Sequence, residues 1–171
     1  EVKYRNIGPF RGGRSVSSVG VINDPLTYYM GTAGGGLWKT TNAGSEWFNI
    51  SDDYFKTSSV GAIAVSESDS RIIYVGMGEH SPRGVTTSYG DGVYKSSDAG
   101  KTWEHMGLEK SQQISRIIIH PDNNNIIYVA AQGAVNGPTK ERGIYKSMDG
   151  GKSWKNVLFV NELSGASELS I

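Results

Sequence analysis

The sequence predicts an all-β fold, a β-propeller of four-stranded sheets. Three observations carry that expectation. An eight-residue pattern, Ser/Thr-x-Asp/Asn-x-Gly-x-x-Trp, occurs three times and ends at Trp47, Trp103 and Trp154. These tryptophans stand 56 and 51 residues apart, about the length of one propeller blade. Each pattern follows an apolar-aromatic-Lys step (Leu37-Trp38-Lys39, Val93-Tyr94-Lys95, Ile144-Tyr145-Lys146), which reads as a strand entering a tight hairpin.

Residues 1–13 form a leading segment rich in Gly and Arg. Each repeat then offers four short strands, a to d. Strand a is expected at 15–21, 59–65 and 114–120, where small residues mix with Val and Ile. Turns follow at Asn23-Asp24-Pro25, Glu67-Ser68-Asp69 and 121–125, all of Asx or Pro type. Strand b is expected at 28–32, 72–77 and 126–131, strand c at 36–40, 92–96 and 143–147, and strand d just after each Trp. No stretch of helical period competes. The expected division is a leading segment 1–13, blade one 14–58, blade two 59–113, blade three 114–165 and the first strand of a fourth blade at 166–171. That last segment, Ala166 to Ile171, aligns with Gly61–Val65 and Ser115–Ile119. Three blades are fewer than the 4–8 that close a ring, so the expectation is a partial propeller within a longer chain or assembly.

Within the eight-residue pattern the chemistry is local. Asp or Asn accepts backbone N–H groups across the turn, and Ser or Thr does the same from the strand before it. Gly44, Gly100 and Gly151 supply the positive φ that such a turn needs. The Trp buries a large ring between neighbouring sheets. The octapeptide resembles the Asp-box (BNR) motif of sialidase-like and sortilin-like β-propellers. Its first copy departs from the motif, with Asn42 for Asp and Glu46 for Thr. The whole chain also resembles large bacterial extracytoplasmic BNR-repeat proteins of "glycosyl hydrolase" type. The residues that carry this likeness are 7–14, 34–42, 73–79 and 90–96. The resemblance implies an extracytoplasmic location and a structural role for the boxes, remote from any active site.

Charge and composition narrow the partners. The 17 basic and 17 acidic residues cancel, which is no footprint for nucleic acid. Cys is absent, so neither a disulfide framework nor a thiolate metal site is possible. No apolar run approaches the ~20 residues of a membrane span. His80, His105 and His120 share no metal spacing, and neither metal nor cofactor is expected.

Strand parity places the candidate site. Loops a–b and c–d share one side of a blade, and loops b–c and d–a share the other. From the strand-b Tyr to the strand-c aromatic the three repeats span 9, 20 and 17 positions. Extra loop length on one face is where binding usually lies. Arg11 and Arg14 precede strand a of repeat one. Glu79, His80 and Arg83 follow strand b of repeat two. Together they form the expected ligand-binding set. The arginines suit a carboxylate or sulfate, while Glu79 suits either acid-base work or a pin between loops.

Three functions are weighed: a binding propeller for a protein, peptide or glycan, a structural subunit, and a glycoside hydrolase. Binding or scaffolding is favoured. The sialidase Arg-Ile-Pro signature is absent, Arg5-Asn6-Ile7-Gly8-Pro9 being a distant echo. A xyloglucanase-like site would place Asp where Ala33 stands, and Ala moves no proton. Glycosidic cleavage ordinarily needs two carboxyl groups, and only Glu79 and Asp91 are candidates. No catalytic residue is therefore expected in this stretch. The hydrolase remains the alternative, with its remaining residues outside it.

Overall fold

The computed structural model describes residues 13–81 and 87–171. Among the described residues, twelve strands form three antiparallel sheets, each in chain order. The first sheet is β1 (Ser15–Val21), β2 (Asp24–Thr32), β3 (Leu37–Thr40) and β4 (Phe48–Asn49). The second is β5 (Val60–Val65), β6 (Ile73–Met77), β7 (Val93–Ser96) and β8 (Glu104–His105). The third is β9 (Ile114–His120), β10 (Asn123–Ala131), β11 (Gly143–Ser147) and β12 (Lys155–Leu158). The first strands β1, β5 and β9 lie side by side along an inner channel. These are three neighbouring blades of a β-propeller.

Period-two alternation builds the two interfaces. Ile73, Val75 and Met77 of β6, with Val60 of β5, face the first sheet, where they meet Tyr29 and Leu37. Tyr74, between them, faces the third sheet with Val93 and Met106, against Ile117, Ile127 and Val129. Where sheets approach most closely, a side chain is excluded. A Cβ on Gly61 would lie 2.2 Å from the Ile114 carbonyl oxygen and 2.3 Å from that of Gly78.

The repeated turn forms the hydrogen bonds its sequence implies. In the second sheet Ser96 Oγ donates to Asp98 Oδ1 (2.8 Å) and accepts from the Gly100 N–H (2.8 Å). Asp98 Oδ1 accepts from the N–H groups of Lys101 and Thr102, and its Oδ2 accepts from Thr102 Oγ1 at 2.7 Å. Ser147, Asp149 and Ser153 repeat this in the third sheet. These bonds to the charged form, that of Thr102 first for Asp98 and that of Ser153 first for Asp149, hold both carboxyls down at about 2. The first copy keeps the ring with its polarity reversed. There the Asn42 amide donates to the Glu46 carboxylate (3.1 Å), while Asn42 Oδ1 still accepts from the Glu46 N–H. The two departures from the motif are therefore complementary.

Four details differ from expectation. The segment 166–171, expected as the first strand of a fourth blade, forms no strand. Strands β2 and β10 begin at Asp24 and Asn123, absorbing much of the turns expected there. Asn23 takes a φ of 65°, which tightens the first hairpin, and Asp24 accepts from the Leu26 N–H and Thr27 hydroxyl. The box also uses two successive left-handed residues rather than one, Ala99 (61°) with Gly100 (85°), and likewise Ala43 with Gly44 and Gly150 with Gly151. Finally, Trp103 is buried while Trp47 and Trp154 are half-buried.

Candidate ligand-binding face

The backbone bonds of the connections define two faces. The box turns lie beside the a–b turns of their own sheets: the N–H groups of Ala43, Ala99 and Gly150 donate to Leu26, Arg71 and Asn125 carbonyls. The b–c loops lie beside the d–a connections, with Gly36 N–H donating to Ser58 and Gly90 N–H to Gln112. The long loops therefore open on the side away from the boxes.

Arg14 and Glu79 meet on this face. The guanidinium donates to Glu79 Oε1, and Glu79 is 2% exposed. Its backbone N–H donates to the Ser88 carbonyl, and its Oε2 accepts weakly from the Ser88 N–H. Glu79 thus ties both ends of the 80–88 loop to the first sheet, which is the work of a pin. His80 is half-buried, and its Nδ1 is shielded with no hydrogen-bond partner among the described residues. It lines a polar cavity of about 270 Å³ at the channel mouth with Ser18, Ser115, Arg116 and Glu168. Arg11 and Arg83 lie outside the described residues.

Asp91, the second candidate carboxylate, is also engaged. It accepts from Thr57 Oγ1 (2.9 Å) and Tyr94 Oη (2.7 Å). Burial, then the Asp91 bond, pushes the Tyr94 phenol up to about 12, so it stays a donor. His105 closes the knot. Its Nε2 bonds the Asp91 carbonyl at 2.7 Å, and its Nδ1 lies 3.4 Å from the Gly107 N–H. From the sequence His105 was notable only for lacking a metal spacing to the other histidines. Its bond to Asp91 spans strands and leaves no periodic signal.

Between the first two sheets this knot backs an open cleft of about 370 Å³. Its lining includes Asp52, Phe55, Lys56, Thr57 and Tyr89. Phe55 packs on Tyr94 at 4.4 Å and edge-on to Trp103 at 5.3 Å, so one wall is rigid and aromatic. Tyr89 stands 62% exposed at the rim. Phe55 and Lys56 were missed from sequence because they sit in a d–a connection with no repeat counterpart. The third sheet's long loop is tied by buried Arg142, which donates to the carbonyls of Gln132, Ala134 and Gly137. No helix is long and apolar enough to cross a membrane among the described residues.

No protein-family profile matches the chain. A xyloglucanase of Hypocrea jecorina (strain QM6a) is 27% identical over 170 residues, which covers 90% of this chain and 19% of the relative. The crystal structure of an ancestral GH74 enzyme superposes with a TM-score of 0.72 at 23% identity, covering 94% of this chain and 20% of the other. The structure of YCF48 bound to D1 peptide gives a TM-score of 0.59 at 12% identity, covering 88% and 41%. The chain thus spans about a fifth of the length of the curated relative it matches. The likenesses to solved structures establish the propeller fold.

Proposed function

We propose that this chain supplies three blades of an extracytoplasmic, Asp-box propeller of glycoside-hydrolase type, and that its part in that protein is to hold a polysaccharide along the face carrying the b–c loops. The blade divisions 14–58, 59–113 and 114–165 belong to this reading. The observation that carries it is the cleft between the first two sheets. An aromatic wall at Phe55, an exposed ring at Tyr89 and polar groups at Asp52, Lys56 and Thr57 suit a sugar's apolar face and hydroxyls. The xyloglucanase relative supports a β-glucan as the ligand class. Glu79 and Asp91 are both held in structural bonds. In this reading hydrolysis by the whole protein draws on carboxylates elsewhere, and Ala33 contributes none.

The test is binding of xyloglucan oligosaccharides by calorimetry, with acidic peptides as the competing ligand class. Tyr89→Ala should weaken oligosaccharide binding about tenfold, the share of one aromatic anchor. Arg14→Ala should weaken it only through the loop it pins. Binding of acidic peptides alone, or sugar binding indifferent to Tyr89→Ala and Lys56→Ala, would refute the assignment.

A further inference from the structure

The third sheet's b–c loop is closed by a buried cation that the repeat does not require. Leu37, Val93 and Ile144 stand at equivalent places, opposite Gly31, Gly76 and Ala130 of the preceding strand. Two positions before them come Gly35, Asp91 and Arg142. A glycine and a carboxylate serve the first two sheets, so the arginine is particular to the third. Arg142 is 8% exposed.

Its charge has no counterion among the described residues. A guanidinium carries five N–H donors. Three go to the carbonyls of Gln132, Ala134 and Gly137. Nε is shielded and has no acceptor among the described residues. No described carboxylate lies within ion-pair reach of it. The adjacent Glu141 is engaged elsewhere. Its Oε2 accepts the Thr139 hydroxyl, and its carboxyl is lowered first by that bond and then by Lys110 and Lys140, not by Arg142. Carbonyl dipoles orient an arginine but bring no net charge, and a desolvated cation without an anion is costly.

The guanidinium lies against open space on one side. Arg142 lines a cavity of about 300 Å³ between its loop and Leu163, Gly165 and Ser167. Two glycines shape it. Gly133, at a φ of 73°, lets the arginine stem pass, since a Cβ there would lie 2.4 Å from Arg142 Cγ. A Cβ on Gly165 would lie 2.4 Å from the Gln132 carbonyl oxygen, so the wall closes directly on the loop's backbone. Val135 and Leu163, 38% and 75% exposed, add aliphatic surface, and Ser167 adds an exposed hydroxyl.

We propose that this cavity takes the carboxylate of a uronic acid. Arg142 supplies the charge and its remaining Nη1–H, Ser167 supplies a second donor, and Val135 with Leu163 covers a face of the sugar ring. The three carbonyls fix the guanidinium before the ligand arrives, so little ordering is lost on binding. The proposal rests on the polysaccharide reading above for the ring, and on Arg142 for the charge. It extends that reading from neutral to acidic glycans.

The probe is D-glucuronate, with its methyl ester as the uncharged counterpart. The Arg142 Nε–H, sheltered from water, gives a side-chain NMR resonance that reports on the site itself. Glucuronate should shift this resonance and bind about tenfold more tightly than the ester, and added salt should weaken it. Ser167→Glu sets a carboxylate on the cavity wall from outside the loop. It should abolish glucuronate binding with the melting temperature unchanged or raised. Arg142→Gln should abolish binding as well, and because it also loosens the loop, Ser167→Glu is the deciding variant. An Arg142 resonance indifferent to glucuronate overturns the proposal, as does binding that survives Ser167→Glu. Acetate or inorganic phosphate bound as tightly as glucuronate would show that charge alone is read, and overturns the assignment to a uronic acid. The two readings fail separately. Glucuronate binding blocked by Ser167→Glu supports this site even where neutral oligosaccharides do not bind. Oligosaccharide binding through Tyr89 with a silent Arg142 overturns this site and keeps the cleft.

Discussion

Asp98→Ala should destabilise the protein by about 1–2 kcal/mol. The carboxylate accepts four hydrogen bonds: from Ser96 Oγ, the N–H groups of Lys101 and Thr102, and Thr102 Oγ1. Each is worth roughly 0.5–1.5 kcal/mol net, but three of the four are solvent-exposed and water takes over much of their loss. The Ser96 hydroxyl keeps the Gly100 N–H, so the turn loosens without opening. The total therefore falls well below a simple sum and near that of a lost helix cap. Asp98→Asn should cost about half as much, since Oδ1 keeps its bonds and the amide can donate to Thr102, as Asn42 donates to Glu46. The assay is urea denaturation followed by tryptophan fluorescence. The midpoint should fall with an unchanged slope, and the melting temperature should drop about 2–7 °C. The pH dependence supplies a second check. A carboxyl lowered to about 2 when folded stabilises the protein above its unfolded value near 3.8, and that contribution is lost as pH falls through about 2. Asp98→Asn should flatten the acid limb between about pH 4 and 2, with Asp149, Asp24, Asp69 and Glu141, all lowered in the folded protein, left to give the remaining slope. A loss below about 0.3 kcal/mol, or an acid limb unchanged by Asp98→Asn, would refute the assignment of the turn's strength to this carboxylate.

Two further outcomes follow from the packing. Gly61→Ala should cost about 2–3 kcal/mol, because its methyl meets two backbone carbonyls rather than a movable side chain; wild-type stability in urea would show that the second and third sheets are not this close. Arg14→Ala should cost about 2 kcal/mol by leaving the Glu79 charge buried, a figure held down by the 41% exposure of the arginine side chain. Adding Glu79→Gln should recover most of that loss, and a double variant less stable than Arg14→Ala would contradict the pin.

The strand plan was legible in the sequence because it rests on local periodicities. The alternation in Ile73-Tyr74-Val75-Gly76-Met77 assigns each residue to one of two interfaces before any partner is known. The box turns were legible for a similar reason, since each of their hydrogen bonds closes within five residues, as Ser96 to Asp98 and Asp98 to Thr102 do. The opposite faces of the box turns and the long loops follow from counting strands.

The candidate site was legible only in part. Arg14 and Glu79 were placed on one face by strand parity, but their ion pair joins residues 65 apart and follows from the sheet packing alone. The cleft wall at Phe55 and the clamp of His105 on Asp91 come from connections that the repeat does not govern. The same holds for the exchange of Tyr, Lys and Trp partners between sheets. Sequence determined which residues repeat, because turn and strand energetics are local. Which carbonyl each repeat reaches was decided by the stacking of sheets distant along the chain.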